Sequence, residues 1–146
     1  MKQEAFIFDI DGVVCDSYRP EFEEQFKNGY YADFEKGILT YPSISWATKL
    51  IKSLHSSGYH IIFMTARNAS YRRDTEEWLR LHTQLKQEDY SLYMRPYHNT
   101  DSDSDLKRHL TLNIIDRYNI LAAFDDKLRN VLMWQDMDIY ALHVLT

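Results

Sequence analysis

The sequence predicts an α/β domain, a parallel sheet sandwiched by helices in the Rossmann-like manner, and three observations predict it. Short apolar runs alternate with stretches of helical periodicity along the 146 residues, the pattern of strands joined by crossover helices. A composition of 45% apolar and 14% aromatic residues supplies a core for one domain of this size. Acidic and hydroxyl side chains fall at the ends of the apolar runs, where reactive groups gather in such sheets.

The first strand is Phe6-Ile7-Phe8, running into Asp9-Ile10-Asp11-Gly12-Val13-Val14. Phe and Ile without polar interruption describe a strand buried on both faces. On an extended backbone Asp9 and Asp11 leave the same side, roughly 6–7 Å apart, and Gly12 permits a sharp turn away. Residues 15–42, punctuated by Pro20, Gly29 and Gly37, form a polar, aromatic connection, an insert or flap and not a second domain. A helix opened by Ser43 carries Trp46, Leu50, Ile51 and Leu54 inward and stops at Gly58. Tyr59 to Met64 is the second strand, ending at Thr65-Ala66-Arg67. The next helix spans residues 70–84 with Trp78, Leu81 and Leu85 inward. Tyr90 to Met94 is the third strand. The acidic loop Asp101 to Asp105 leads to a helix with Leu106, Leu110 and Ile114. Ile120 to Phe124 is the fourth strand, ending at Asp125-Asp126. A short helix with Leu128, Val131 and Leu132 precedes a last strand, Ile139 to Val144.

Composition narrows the function classes. The single cysteine, Cys15, excludes a disulfide framework and fits a reducing cytosol. The start Met1-Lys2-Gln3-Glu4 lacks signal-peptide order, and no apolar run reaches the roughly 20 residues of a membrane span. A soluble, intracellular protein is expected. The formal charge of −5 argues against a general nucleic-acid coating protein while leaving room for a phosphate-bearing substrate.

Two carboxylates as close as Asp9 and Asp11 repel unless a cation or a proton relieves them. The chemistry this suits is metal-assisted phosphoryl transfer. A carboxylate at Asp9 can attack phosphorus, and Asp11 can serve as acid and then base. Thr65 offers a hydroxyl to the phosphoryl oxygens and Lys107 an ammonium. Carboxylate oxygens at Asp9 and Asp125 suit Mg²⁺, and neither Cys15 nor the histidines have zinc spacing.

Phe8-Asp9-Ile10-Asp11-Gly12-Val13-Val14, Met64-Thr65-Ala66-Arg67, Lys107 and Phe124-Asp125-Asp126-Lys127 resemble the four ordered motifs of the haloacid dehalogenase (HAD) superfamily of phosphatases, over essentially the whole chain. That resemblance implies a HAD-like fold, capless or with a minimal cap, and a Mg²⁺-dependent phosphomonoesterase. Asp9 would be the nucleophile and Asp11 the general acid/base, with Thr65 and Lys107 on the phosphoryl group. The metal would be held by Asp9, Asp125, Asp126 and the backbone carbonyl of Asp11. More narrowly, Thr65-Ala66-Arg67, Tyr71-Arg72, Trp78-Leu79, Met94-Arg95, Asp103-x-x-x-Lys107 and Asp125-Asp126-Lys127 resemble the phosphatase domains of bacteriophage-type polynucleotide kinase–phosphatases. These remove 3′-phosphates from nucleic-acid ends, so the implied substrate is a phosphorylated nucleic-acid end and a phage-like origin is expected. Arg67 and Arg95 would contact phosphate or backbone, beside Ala66, and Asp103 would steady Lys107 or the metal shell. The chain departs from that group in two places: it has no Gly-x-x-x-x-Gly-Lys-Ser/Thr, and Asp101 and Ser102 stand where a basic residue is expected.

Plainer readings stand beside these. Asp125 and Asp126 can cap the last helix, and Thr65 can cap the helix after its strand. Lys107 alone reads as a solvated lysine. Arg73 and Arg80 read as a salt-bridged face with Glu76 and Glu77. Tyr18, Tyr71, Tyr97 and His98 read first as surface packing, and second as groups that stack on a base near the site mouth. The competing functions are a nucleotide or small-ester phosphatase, a receiver-type signalling domain and a silent binding module.

Overall fold

The computed structural model describes residues 1–17 and 37–145. The expectations for Tyr18, Pro20, Gly29 and most of the 15–42 connection therefore lie outside the described residues. Among the described residues five strands form one parallel sheet: β1 (Gln3–Phe8), β2 (His60–Asn68), β3 (Tyr90–Arg95), β4 (Tyr118–Asp125) and β5 (Ala141–His143). Their order is β3-β2-β1-β4-β5. The described α-helices are α1 (Ser45–Ser56), α2 (Arg72–Thr83), α3 (Asp103–Leu112) and α4 (Leu128–Asp136), beside short 3-10 turns at Ile38–Thr40, Ala69–Tyr71 and Gln87–Asp89. β1 is central, and the chain switches sides of it between β3 and β4, which opens a crevice at the carboxyl ends of β1 and β4.

Strand alternation divides the core into two layers. Phe8, Ile61, Phe63 and Phe124 pack with Ala47, Ile51, Trp78 and Leu79 of α1 and α2. Ala5, Ile7, Ile62, Met64 and Ala123 pack on the other side with Met133 and Trp134 of α4, and Leu110 of α3 lies against that cluster. Parallel strands covered on both faces carry near-continuous apolar runs for this reason. Register sets the height of the functional residues. Phe8 pairs with Phe63 and with Phe124, so Asp9 lies level with Asp125 and Thr65 one step beyond.

Several expectations need correction. Trp46 is 44% exposed and Leu81, Leu128 and Leu132 are about half exposed, whereas Ala47, Leu79 and Met133 are buried. Periodicity locates an apolar stripe but does not tell which residue lies at its edge. α1 opens at Ser45 after Ile44, not at Ser43, whose backbone instead bridges Cys15. Thr65, Ala66 and Arg67 belong to β2, which runs to Asn68. The acidic loop is shorter than expected, because Ser102 caps α3 by accepting from the Asp105 amide and the helix begins at Asp103. Gly58 does end α1, with φ of +91°.

Candidate active site

The site begins with the turn after β1. The Asp9 amide donates to the Phe124 carbonyl at 3.0 Å, so Asp9 is still held by the sheet. The chain then winds round the Ile10 carbonyl, which accepts from the amides of Val13, Val14 and Cys15 at 3.2, 2.9 and 2.9 Å. So tight a loop requires φ of +84° at Gly12, a conformation that a side chain would strain. The turn sends the two acids into different surroundings.

Asp9 shares the parity of Ile7, which faces α3 and α4. From α3 comes Lys107, 1% exposed, with its ammonium 3.0 Å from Asp9 Oδ1 and 2.6 Å from Asp125 Oδ2. Burial opposes that charge, but Asp9 and Asp125 outweigh it and raise the ammonium's pKa. Asp125 is fully buried. Its Oδ2 also accepts from Asn130 Nδ2 at 3.1 Å, and its Oδ1 from the Lys127 amide at 2.9 Å. It therefore ties down the turn into α4 while facing the site; the N-cap is Lys127, with no side-chain cap, so the site reading is realised and the cap reading is not. Carboxylate oxygens of Asp9, Asp125 and Asp126 lie within 4.8 Å of one another. Burial is the main cause that pushes Asp9 well above the usual carboxylate range. Lys107 opposes it, and Asp125, Asp126 and Asp11 add to it. Asp126 is raised too, first by burial, and its Oδ1 is buried with no hydrogen-bond partner.

These features fit a hard divalent cation. Three carboxylates crowd one small space, one of their buried oxygens lacks a partner, and the donors are all oxygen. The arithmetic of charge agrees. Asp9, Asp11, Asp125 and Asp126 carry four negative charges when ionised. Lys107 and Arg67 return two, which leaves a deficit of two. A divalent cation matches that deficit, and Asp9, Asp125 and Asp126 are the residues that could hold it.

Asp11 has a different partner. Arg67 clasps it with two bonds, Nε to Oδ2 at 2.9 Å and Nη2 to Oδ1 at 2.7 Å, while Arg67 Nη1 donates to Thr75 Oγ1 at 3.1 Å. The Ser17 hydroxyl donates to Asp11 Oδ1 at 2.7 Å. Burial alone would raise Asp11, but the guanidinium and the hydroxyl hold it below the usual carboxylate range. Arg67, expected on phosphate, is thus engaged with the acid two residues from Asp9. Thr65 is buried and its Oγ1 accepts from the Arg67 amide at 3.1 Å. Arg95 is likewise spent within the protein. It donates to the Ala66 carbonyl, Asn99 Oδ1, the Asp101 carbonyl and Asp103 Oδ1 at 2.7–3.0 Å. Asp103 joins Arg95 to Lys127, whose Nζ lies 2.6 Å from Asp103 Oδ2. Its recorded partners are these two cations, with Lys107 acting on it only through space.

Three residues that the sequence did not single out thus support the site, Ser17, Thr75 and Asn130, beside Lys127, which stands in the quoted motif without a role of its own. Two left a trace. Asn130 stands four residues before Trp134, and Thr75 three before Trp78, so each is a polar residue within an apolar helical stripe.

Residues 3–146 match the family described as the polynucleotide kinase PNKP phosphatase domain. A protein of Autographa californica nuclear polyhedrosis virus, provisionally described as a bifunctional polynucleotide kinase/RNA ligase, is 39% identical over 137 residues. The match covers 92% of this chain and 18% of that one, so the chain spans less than a fifth of its viral relative. Among solved structures, a chain of the Pnkp1/Rnl/Hen1 RNA repair complex shares the fold, with a TM-score of 0.80 at 22% identity, over 99% of this chain and 43% of that chain. A haloacid dehalogenase-like hydrolase of Streptococcus pneumoniae matches with a TM-score of 0.66 at 16% identity, over 97% and 84%. No helix among the described residues is long and apolar enough to cross a membrane.

Proposed function

The chain belongs to the PNKP phosphatase-domain family of HAD-type phosphatases, and we propose that it removes the 3′-phosphate from a nucleic-acid end through an aspartyl-phosphate at Asp9. In this proposal residues 1–146 are one phosphatase unit, with 15–42 a short insert or flap and not a separate domain. The observation that carries it is the convergence of Asp9, Asp125, Asp126 and Lys107 at the carboxyl ends of β1 and β4. The viral relative's description, as a protein acting on polynucleotides, supports the choice of substrate.

The Asp9 carboxylate attacks phosphorus and the bond to the nucleic acid's 3′-oxygen breaks, with Asp11 donating a proton to that oxygen. Asp11, now a carboxylate, takes a proton from water, which attacks the acyl phosphate and frees inorganic phosphate and Asp9. The Lys107 ammonium and Thr65 hydroxyl stabilise the phosphoryl oxygens through both steps. Arg67 orients Asp11, Asn130 orients Asp125, and Arg95 and Asp103 brace the rim. Asp9, Asp125, Asp126 and the Asp11 carbonyl would hold Mg²⁺, which would supply positive charge that favours ionised Asp9 and offsets charge on the transferred group.

One observation favours a second reading, a phosphatase of nucleotides or other small esters. Among the described residues Arg67, Arg95, Lys107 and Lys127 are each paired with an aspartate, Arg95 and Lys127 sharing Asp103, which leaves these four little charge for a polymer backbone. Phosphate release from a 3′-phosphorylated oligonucleotide, assayed beside nucleoside monophosphates with and without Mg²⁺, separates the two. Preference for the oligonucleotide, lost in Asp9→Asn, is expected. Turnover by Asp9→Asn would remove the nucleophile assignment, and preference for monophosphates would give the second reading the substrate.

A further inference from the structure

An exposed tyrosine at the rim of the site is held in place more firmly than a surface loop requires. Tyr97 lies two residues past the end of β3 and is 67% exposed. Its carbonyl accepts from Asn68 Nδ2 at 2.8 Å, and Asn68 pairs with Arg95 at the carboxyl end of β2. The Asn99 amide donates to the Pro96 carbonyl at 3.0 Å, which closes the turn around Tyr97. Arg95 stitches the base of that turn to Ala66, Asn99, Asp101 and Asp103. His98 packs perpendicular to the Tyr97 ring, with centroids 4.7 Å apart. An aromatic ring presented on a braced loop loses little entropy when something stacks on it.

Position and charge indicate what stacks. Asn68, which holds Tyr97, is three residues beyond Thr65 on the same strand, at most about 10 Å away because the strand is irregular between Met64 and Asn68. That is within reach of the base of a nucleotide whose phosphate lies at Thr65 and Lys107. Among the described residues Arg67, Arg95, Lys107 and Lys127 are each ion-paired, Arg95 and Lys127 sharing Asp103, so they offer little charge for gripping successive phosphates of a strand. A ring that takes any base by its π-face does not need them.

We propose that Tyr97 is the stacking platform for the terminal base, so that the enzyme recognises the last nucleotide and not the phosphate chain behind it. This rests on the phosphatase reading above and deepens it. The test uses two oligonucleotides with the same sequence and the same 3′-phosphate. One ends in a normal nucleotide and the other in a tetrahydrofuran abasic residue. The quantity read is the ratio of kcat/KM for the first over the second within each protein, so a partly misfolded preparation cancels. The wild type is expected to favour the base-bearing end about 5- to 150-fold, the range that stacking of one base supplies. Tyr97→Ala should bring that ratio close to one, and Tyr97→Phe should keep it. A wild-type ratio near one, or a ratio that Tyr97→Ala leaves unchanged, overturns the proposal while leaving the phosphatase standing. Hydrolysis of neither end removes both. Shortening the oligonucleotide from ten nucleotides to two should change KM less than 3-fold, and a larger rise would return recognition to the phosphate chain.

Discussion

Replacing Arg67 by Met tests whether the clasp on Asp11 holds the site together. The Arg67 side chain is 2% exposed and that of Asp11 15%, so the pair is almost out of water. Met fills much of the same volume but leaves a buried carboxylate with the Ser17 hydroxyl, and Thr75 without its donor. Breaking a buried pair by removing one partner costs about 3–5 kcal/mol. At about 2–4 °C per kcal/mol for a chain near this length, the melting temperature should fall by about 6–20 °C. Asp11 has a lowered pKa when folded, so its ionised form stabilises the fold above the unfolded value near 4. That contribution is lost as pH falls through the lower folded value. In Arg67→Met, burial acts on Asp11 without the guanidinium, and protonation then relieves the variant. The gap between wild type and variant should therefore be widest near neutrality and narrow below about pH 4. Melting followed by circular dichroism in EDTA measures it. The double variant Asp11→Asn with Arg67→Met, which removes both charges, should recover much of the loss. A drop under about 3 °C for Arg67→Met, or a gap that is constant with pH, would refute the clasp.

Other outcomes bear on the same residues. Mg²⁺ at about 100 times its Kd should stabilise the chelator-treated protein by about 2.7 kcal/mol, seen as a rise in melting temperature, and Asp125→Asn should lose that rise. Asn130→Ala removes one donor from Asp125 and should cost about 1 kcal/mol of stability and a several-fold loss of kcat/KM; an unaffected rate would make Asn130 a packing residue only. The buried Cys15 thiol, pushed up to about 12 chiefly by burial, should resist a thiol reagent at pH 8 in the folded protein and react once unfolded. Labelling at equal rates in both states would contradict its burial.

The parts of the site that were legible in the sequence are those fixed by one strand. Asp9 and Asp11 follow an apolar run at a spacing of two, which marks both as site acids, but the strand ends at Phe8 and the turn round Ile10 gives them different partners instead of one shared face. Asp125 and Asp126 are marked in the same way at the end of β4. The fold class makes β1 and β4 neighbours, but the register that brings the two groups level includes an irregularity between Ala5 and Phe6 that no sequence pattern marks. What stayed hidden depends on partner choice across the chain. Arg67 has a phosphate and Asp11 as rival partners, and the Gly12 turn that carries Asp11 to it cannot be deduced from either residue. Lys107 shows the opposite case. By itself it is an ordinary helix lysine, and only the position of α3 beneath the ends of β1 and β4 makes burial with two acids tolerable. Ser17 left no trace at all, since a serine in a polar turn is the commonest of surface residues.

The two acids of β1 also show how one turn divides labour between like groups. Asp9 sits among carboxylates, and burial raises its pKa. Asp11 sits under a guanidinium that lowers its own. Environments that push two carboxylates apart assign them different tasks. In the proposed cycle Asp9 must be ionised when substrate arrives, the reverse of what burial alone favours, so its reactivity is conditional on positive charge reaching the acidic cluster. Asp11 must hold a proton in the first step and accept one in the second. The Arg67 clasp favours the second of these states, and the negative phosphoryl group entering beside Asp11 favours the first. Each carboxylate is thus brought to its working protonation state by the ligands themselves, which ties reactivity to a filled site and leaves the empty one inert.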